Sequence, residues 1–241
     1  VYICPVPHVK GNMIFSVNTD DLLARQLASM GFKGNTAKAG LDDSESFLLV
    51  LHVERRITYF EKPGVANTAV CLEVVRQAFS DHGYKHLVIA STRGETGELF
   101  SSALRDDDVN LVVVTHSQGF KEPNTSEMPV ETRRRIEQNG AKVYTGSMLT
   151  HSIETAFTSK FSGLYPTIIV AQSLRRFGEG SKVCCEIVMM AADAGLIPEG
   201  EEVLAVAGTG YGSDTVLVLK AAASKRFFDL KVLEILAKPR A

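Results

Sequence analysis

Short apolar runs alternate with stretches of helical periodicity from residue 57 onward, and that alternation sets the first expectation of the fold. Residues 57–60 form a β-type run, and Glu61-Lys62-Pro63-Gly64 forms a turn. Asn67 or Thr68 then caps a helix reaching about residue 80. Its apolar positions Val70, Cys71, Val74, Val75, Ala78 and Phe79 recur at helical spacing, so one face is buried. Gly83 ends it, and a strand over 87–90, a loop over 91–96 and a helix over 97–104 follow. Residues 110–115 are continuously apolar rather than alternating, as expected of a strand covered on both faces in a parallel sheet. A polar loop over 119–127 leads to Pro129, suited to the first turn of a helix through about residue 139 that stops at Gly140. A third strand spans 141–145. Helices over 150–161 and 167–177 are separated by Gly163 and Pro166, and the strongly apolar helix over 182–195 reads as central. Pro198 and Gly200 turn the chain into a fourth strand over 203–207. A loop over 208–214 precedes a fifth strand over 215–221, and residues 230–237 make a final edge strand. This order implies an open, mostly parallel sheet with helices on both faces.

Residues 1–56 are less regular. A short helix over 21–30 closed by Gly31, a polar turn-rich stretch over 34–46 and a strand over 47–53 are expected there. No chemistry stands out, so 1–56 reads as an N-terminal extension to a domain over 57–241. Composition adds limits rather than detail. With 45% hydrophobic and 22% charged residues, the 241-residue chain has an ordinary globular balance and enough length for a sizeable core. A net charge of −2 gives no general attraction to nucleic acid or anionic membrane. No nucleic-acid or membrane partner is expected, and a phosphate site would have to work through local geometry. Cys4, Cys71, Cys184 and Cys185 lack zinc-ligand spacing, so no metal is expected and the thiols read as buried and structural. No apolar stretch reaches the ~20 residues of a membrane span. No signal-peptide pattern follows Val1, and the chain reads as cytoplasmic. A start at Val1 suggests a fragment or an upstream extension, with Met13 the alternative start.

Two loops carry the candidate chemistry, because ligands of open parallel sheets bind where loops leave the carboxyl ends of strands. In the first, the hydroxyls of Ser91, Thr92 and Thr96 and the free N–H groups would converge on an anion at a helix N-terminus. Gly94 allows a close turn and Arg93 can add a bidentate contact to phosphate. Glu95 opposes an anion unless it points outward. The same residues also suit an ordinary turn with Thr96 as helix cap. The second loop, Gly208-Thr209-Gly210-Tyr211-Gly212-Ser213-Asp214-Thr215, is rich enough in glycine and hydroxyls to let a ligand approach the main chain, and Tyr211 can stack on a planar ring. It echoes a dinucleotide fingerprint but joins two strands and opens no helix, which rejects that reading. A flexible turn is the alternative. Lys62 is either a phosphate contact or a solvated loop lysine. Asn67 and Thr68, at the start of the following helix, join the candidate set. Thr115 and His116 end the second strand, which aims them at the site or leaves His116 a surface residue. Glu186 and Asp193 share a helix face, for structural pairing or ligand contact. Arg133, Arg134 and Arg135 read as a solvated helix face.

Taken together, Tyr59-Phe60-Glu61-Lys62-Pro63-Gly64, Asn67-Thr68, the strand from His86 to Ser91, Met128-Pro129, Asn139-Gly140-Ala141-Lys142 and Met190-Ala191-Ala192-Asp193 are familiar. The combination resembles small stand-alone proteins similar to the C-terminal domain of pyruvate kinase without its catalytic barrel. The resemblance covers about residues 57–240. It implies a three-layer α/β fold with a mostly parallel five-stranded sheet and an antiparallel edge strand. It also implies a phosphate cradle, since loops 91–96 and 208–215 stand where that domain holds a sugar-phosphate effector. By similarity to the stand-alone members, flavin mononucleotide (FMN) is the expected cofactor. Glu95, and the lack of a Trp before the second loop, depart from the effector pattern and argue against a sugar bisphosphate. Pyruvate kinase activity is not expected, because its metal-holding carboxylates and cationic clamps lie in a barrel that this chain is too short to contain. The leading expectation is therefore a binding protein or minimal flavoprotein for a phosphorylated small molecule. The alternatives are a flavin-dependent oxidoreductase, with His116 or Asp193 near the ring, and a sugar-phosphate-sensing module acting through homo-oligomer contacts.

Overall fold

The structure is a computed structural model that describes residues 15–17, 47–49 and 55–240. The chain divides into two units, Val1–Arg56 and Ile57–Ala241. In the first, strands β1 (Phe15–Val17) and β2 (Phe47–Leu49) pair antiparallel, with Ser16 opposite Leu48. The helix expected over 21–30, the turn-rich stretch over 34–46, the end of the strand expected over 47–53, Cys4 and Met13 lie outside the described residues.

In the second unit the apolar runs become the strands of one sheet: β3 (Thr58–Phe60), β4 (His86–Ala90), β5 (Asn110–Val114), β6 (Lys142–Tyr144), β7 (Glu202–Ala207), β8 (Thr215–Lys220) and β9 (Lys231–Pro239). Their spatial order is β3-β9-β8-β7-β4-β5-β6. Strands β7, β4, β5 and β6 are mutually parallel, β8 opposes both of its neighbours, and β3 runs parallel to β9. The sheet therefore has seven strands rather than five, and its antiparallel strand is internal. The extra width comes from the two ends of the second unit: β9 pairs with β8 on one side and with β3 on the other, with Tyr59 opposite Lys238. The segment expected to be an edge strand thus has a neighbour on each side.

Six helices accompany the sheet among the described residues: α1 (Thr68–His82), α2 (Glu95–Ala103), α3 (Val130–Gln138), α4 (Ile153–Phe161), α5 (Pro166–Leu174) and α6 (Glu179–Asp193). Because strand side chains alternate between faces, Leu87, Ile89, Leu111, Val113, Leu204 and Val206 point to one side. There they pack with Cys71, Leu72 and Val75 of α1, Phe100 of α2 and Ile136 of α3. Val88, Val112, Val203, Ala205 and Leu217 point to the other side, against Cys184, Cys185, Ile187, Val188 and Ala191 of α6. Both faces are buried, which is why these strands read as unbroken apolar runs. No helix among the described residues is long and apolar enough to cross a membrane.

Helix α6 starts at Glu179, three residues before the expected start, because Gly180 sits in its first turn instead of in a loop. That glycine is required by packing. A Cβ there would lie 2.2 Å from Thr215 Oγ1 and 2.5 Å from Thr215 Cβ, at the start of β8. Overpacking of this kind typically costs about 1–3 kcal/mol. Gly180→Ala is accordingly expected to lower the urea midpoint by that amount with an unchanged m-value. An unaltered midpoint would show that α6 does not depend on this close approach.

Candidate ligand-binding site

After β4 the chain moves to β5 on one side, and it later returns to β7 on the other. The carboxyl end of β4 is thus the place where strand order reverses, the usual position of a ligand crevice in such sheets. A cavity of about 570 Å3 opens there. Ala90 and Val114, the last residues of β4 and β5, lie in its wall, as does Gly208, which follows β7.

The first loop is shaped by the helix it starts. Gly94 adopts φ 105° at the N-cap of α2, and the buried Ser91 hydroxyl accepts the Gly97 N–H at 3.0 Å. Ser91, not Thr96, is therefore the capping hydroxyl, and Thr96 lies in the first turn, buried. Gly94 faces away from the cavity, since a Cβ there would meet Thr132 Cγ2 of α3 at 2.3 Å. Arg93 turns back over the Tyr211 ring, 4.0 Å from its centroid, and pairs with Glu95 at 3.0 Å. Glu95 lines the cavity as well, with its charge taken up by Arg93 instead of turned away, and the stack expected between Tyr211 and a ligand ring is made with Arg93.

Ser91, Thr92, Arg93, Thr96, Thr115, His116, Gly208, Thr209, Gly210 and Gly212 all line the cavity, which joins the two loops into one site. Seven other expected residues do not line it. Lys62 is exposed, and its carbonyl accepts from the Asn67 side-chain amide at 2.8 Å, so Asn67 stands at the N-cap of α1 as expected but its side chain braces the preceding turn. Gly94 packs on α3, as described. The Thr68 hydroxyl donates to Val65 O and accepts from Ser213 N–H at 3.0 Å. Ser213, Asp214 and Thr215 are wholly buried. The Asp214 carboxylate accepts from Gly64 N–H at 2.8 Å, Thr209 N–H at 3.1 Å and Thr215 Oγ1 at 2.9 Å. Thr68, Ser213, Asp214 and Thr215 hold the second loop in shape behind the cavity wall.

Sequence reasoning singled out Arg93, Glu95 and Glu186 but missed the rest of the charged wall. Arg175 with Glu179, Lys121 with Glu127, and Lys182 with Glu186 all line the cavity. With Arg93 and Glu95, each lysine and arginine of the wall is matched by a glutamate. Lys182 and Glu186 lie one helical turn apart on α6, both buried, and Glu186 also accepts from the backbone and hydroxyl of Thr150 at 2.8 Å. Burial pushes the Glu186 carboxyl up, but the Lys182 charge and these hydrogen bonds outweigh it and hold it below the ordinary value. Asp193, at the far end of α6, accepts from Ser224 N–H and is outside the cavity. Met148, Val183, Ile187 and Met190 give the wall an apolar patch.

His116 accompanies Lys121 and Glu127. Its Nδ1 lies 2.8 Å from Glu127 Oε2, while Lys121 Nζ holds Oε1 at 2.7 Å. Burial raises the Glu127 carboxyl, yet the Lys121 and His116 hydrogen bonds bring it below its usual value. The Phe120 ring packs against His116 at 4.2 Å and reaches His151 at 6.0 Å. Burial, followed by the Lys182 charge, pushes His151 down from its ordinary value. The thiols take no part: burial raises Cys71 to about 12 and Cys185 to about 11, and it raises Cys184 as well. Arg134 pairs with Glu131, Arg133 with Glu137 and Arg135 with Glu98, which accounts for the basic run on α3.

The family described as "Pyruvate kinase, alpha/beta domain" matches residues 69–219. Two crystal structures of pyruvate kinase from Cryptosporidium parvum each align with 67% of this chain, at 16% and 15% identity and TM-scores of 0.36 and 0.34. The alignments cover 24% and 23% of those chains, so this protein spans about a quarter of the length of the pyruvate kinases it matches.

The Lys182–Glu186 pair makes a prediction with a definite sign. Since the folded Glu186 carboxyl titrates below its ordinary 4.5, its contribution is complete above that pH and is lost as pH falls through the lower folded value. Glu186→Gln leaves Lys182 buried without its counter-ion, a loss expected to cost about 3–5 kcal/mol at pH 7. Urea unfolding of both proteins should show the gap shrinking below about pH 4. A gap that does not vary with pH would mean that the ion pair is not its source.

Proposed function

The chain belongs to the pyruvate kinase alpha/beta-domain family, and from that premise we propose that it binds a phosphorylated small molecule in the cavity at the carboxyl ends of β4, β5 and β7. The observation that carries the reading is convergence: loops 91–96 and 208–212, far apart in sequence, line one cavity with the N-terminal turn of α2 between its walls. A helix N-terminus offers backbone N–H groups and the positive end of its dipole to an anion. Thr92, Thr96 and Thr209 supply hydroxyls beside it, and Arg93 supplies a cation at the rim.

Flavin mononucleotide is our candidate ligand. Its phosphate suits the loop side, and its ring suits the patch formed by Met148, Val183, Ile187 and Met190, which a sugar would leave unused. When bound, the flavin would supply redox chemistry; this chain's residues would hold and orient it.

Ligand-induced stabilisation tests the reading. FMN is expected to raise the melting temperature more than riboflavin, which lacks the phosphate, and more than a sugar bisphosphate. Arg93→Ala should weaken FMN binding about tenfold, or ~1.4 kcal/mol. A response to the sugar phosphate exceeding that to FMN would favour the regulatory module. No response to any phosphorylated compound would sink the proposal.

A further inference from the structure

A phosphate entering this cavity finds no surplus of fixed positive charge. Every lysine and arginine in the wall already has a glutamate partner, so the wall's fixed charges cancel and only its two histidines can add charge. Imidazole is the side chain whose charge changes within the physiological range. The two rings are not equivalent. Burial, and then the nearby Lys182, disfavour the cationic form of His151. His116 is about a third exposed, and its Nδ1 lies 2.8 Å from the Glu127 carboxylate.

The geometry also selects the nitrogen. An ionised carboxylate only accepts hydrogen bonds, so Glu127 Oε2 at 2.8 Å places the proton of neutral His116 on Nδ1. Nε2, bonded to no described residue, is then the basic nitrogen of a ring that lines the cavity. Around it stand Glu127 and Lys121 from its own loop and His151 from the turn before α4, with Arg93 and Tyr211 within electrostatic reach of Lys121. Phe120 packs on the ring and restricts its rotation.

We propose that His116 supplies the missing countercharge, taking up a proton at Nε2 as a phosphate binds, so that ligand binding in this cavity is proton-coupled. The balance is simple: one proton leaves the buffer, the imidazole becomes imidazolium between Glu127 and the ligand, and no other bond changes. The inference rests on the phosphate-binding reading and assigns its charge partner.

Calorimetric titration with FMN at pH 7.5, in two buffers of different ionisation enthalpy, measures the protons taken up. At this pH the phosphate is already largely dianionic. The wild-type protein is expected to take up about one proton per FMN, with affinity falling as much as about tenfold per pH unit above neutrality. His116→Gln should still bind FMN, more weakly, with uptake near zero and a flat pH profile. Glu127→Gln should reduce the uptake. Binding without proton uptake, or uptake undiminished in His116→Gln, would overturn this inference and leave phosphate binding intact. Absence of heat with both FMN and inorganic phosphate would overturn the two together.

Discussion

Asp214 has no exposed surface and stands at the junction between the Gly-rich loop and β8. A carboxylate so placed is tolerable only when its oxygens are fully engaged. Here Gly64 N–H, Thr209 N–H and Thr215 Oγ1 engage them, fastening the loop to itself and to the turn before α1. The surroundings are built to that closeness. A Cβ on Gly208 would lie 2.5 Å from Gly212 O, and one on Gly212 would lie 2.5 Å from Thr68 Oγ1. Gly208 and Gly212, which look like flexibility in the sequence, are there because the backbone has no room for side chains, whereas Gly210 has open space around it and a φ of 79°.

One wall of the cavity is therefore a clamped hairpin and the other a helix N-terminus capped by Ser91. Between them the charges cancel, and the floor is apolar. Such a cavity differs from a sugar-bisphosphate site, which would need several unpaired cations. Its selectivity would come from directed N–H groups, hydroxyls and the shape of an apolar patch, a setting in which a single added proton has weight.

The sequence made the strands, the order of helices and the two loops legible, because each rests on local information: unbroken apolar runs, helical spacing, and glycine with hydroxyl residues at strand ends. It could not tell which loop residues face in and which face out. Ser213, Asp214 and Thr215 share the composition of Thr209 and Gly210 but turn toward Gly64 and α6 (a long-range fact). The strand count failed for a similar reason. Residues 57–60 and 230–237 were visible as β-type runs, yet their pairing joins the two ends of the domain. Glu186 was singled out for structural pairing or ligand contact, but its partner Lys182 was an unused signal, an opposite charge four residues away in an apolar helix. Nothing local linked Glu127, Arg175 or Glu179 to the site, because their segments reach the cavity only through the fold.

The Arg93–Tyr211 stack gives the site a kinetic property. It bridges the two loops at the solvent-exposed rim of the cavity, so any widening of the gap between them there would part that contact. An exposed cation–π contact is worth only about 0.5–1 kcal/mol. Such a latch would slow exchange by a few-fold at most and scarcely alter the equilibrium. If the cavity binds as proposed, such a rim would leave an occupant's residence time to the contacts deeper inside.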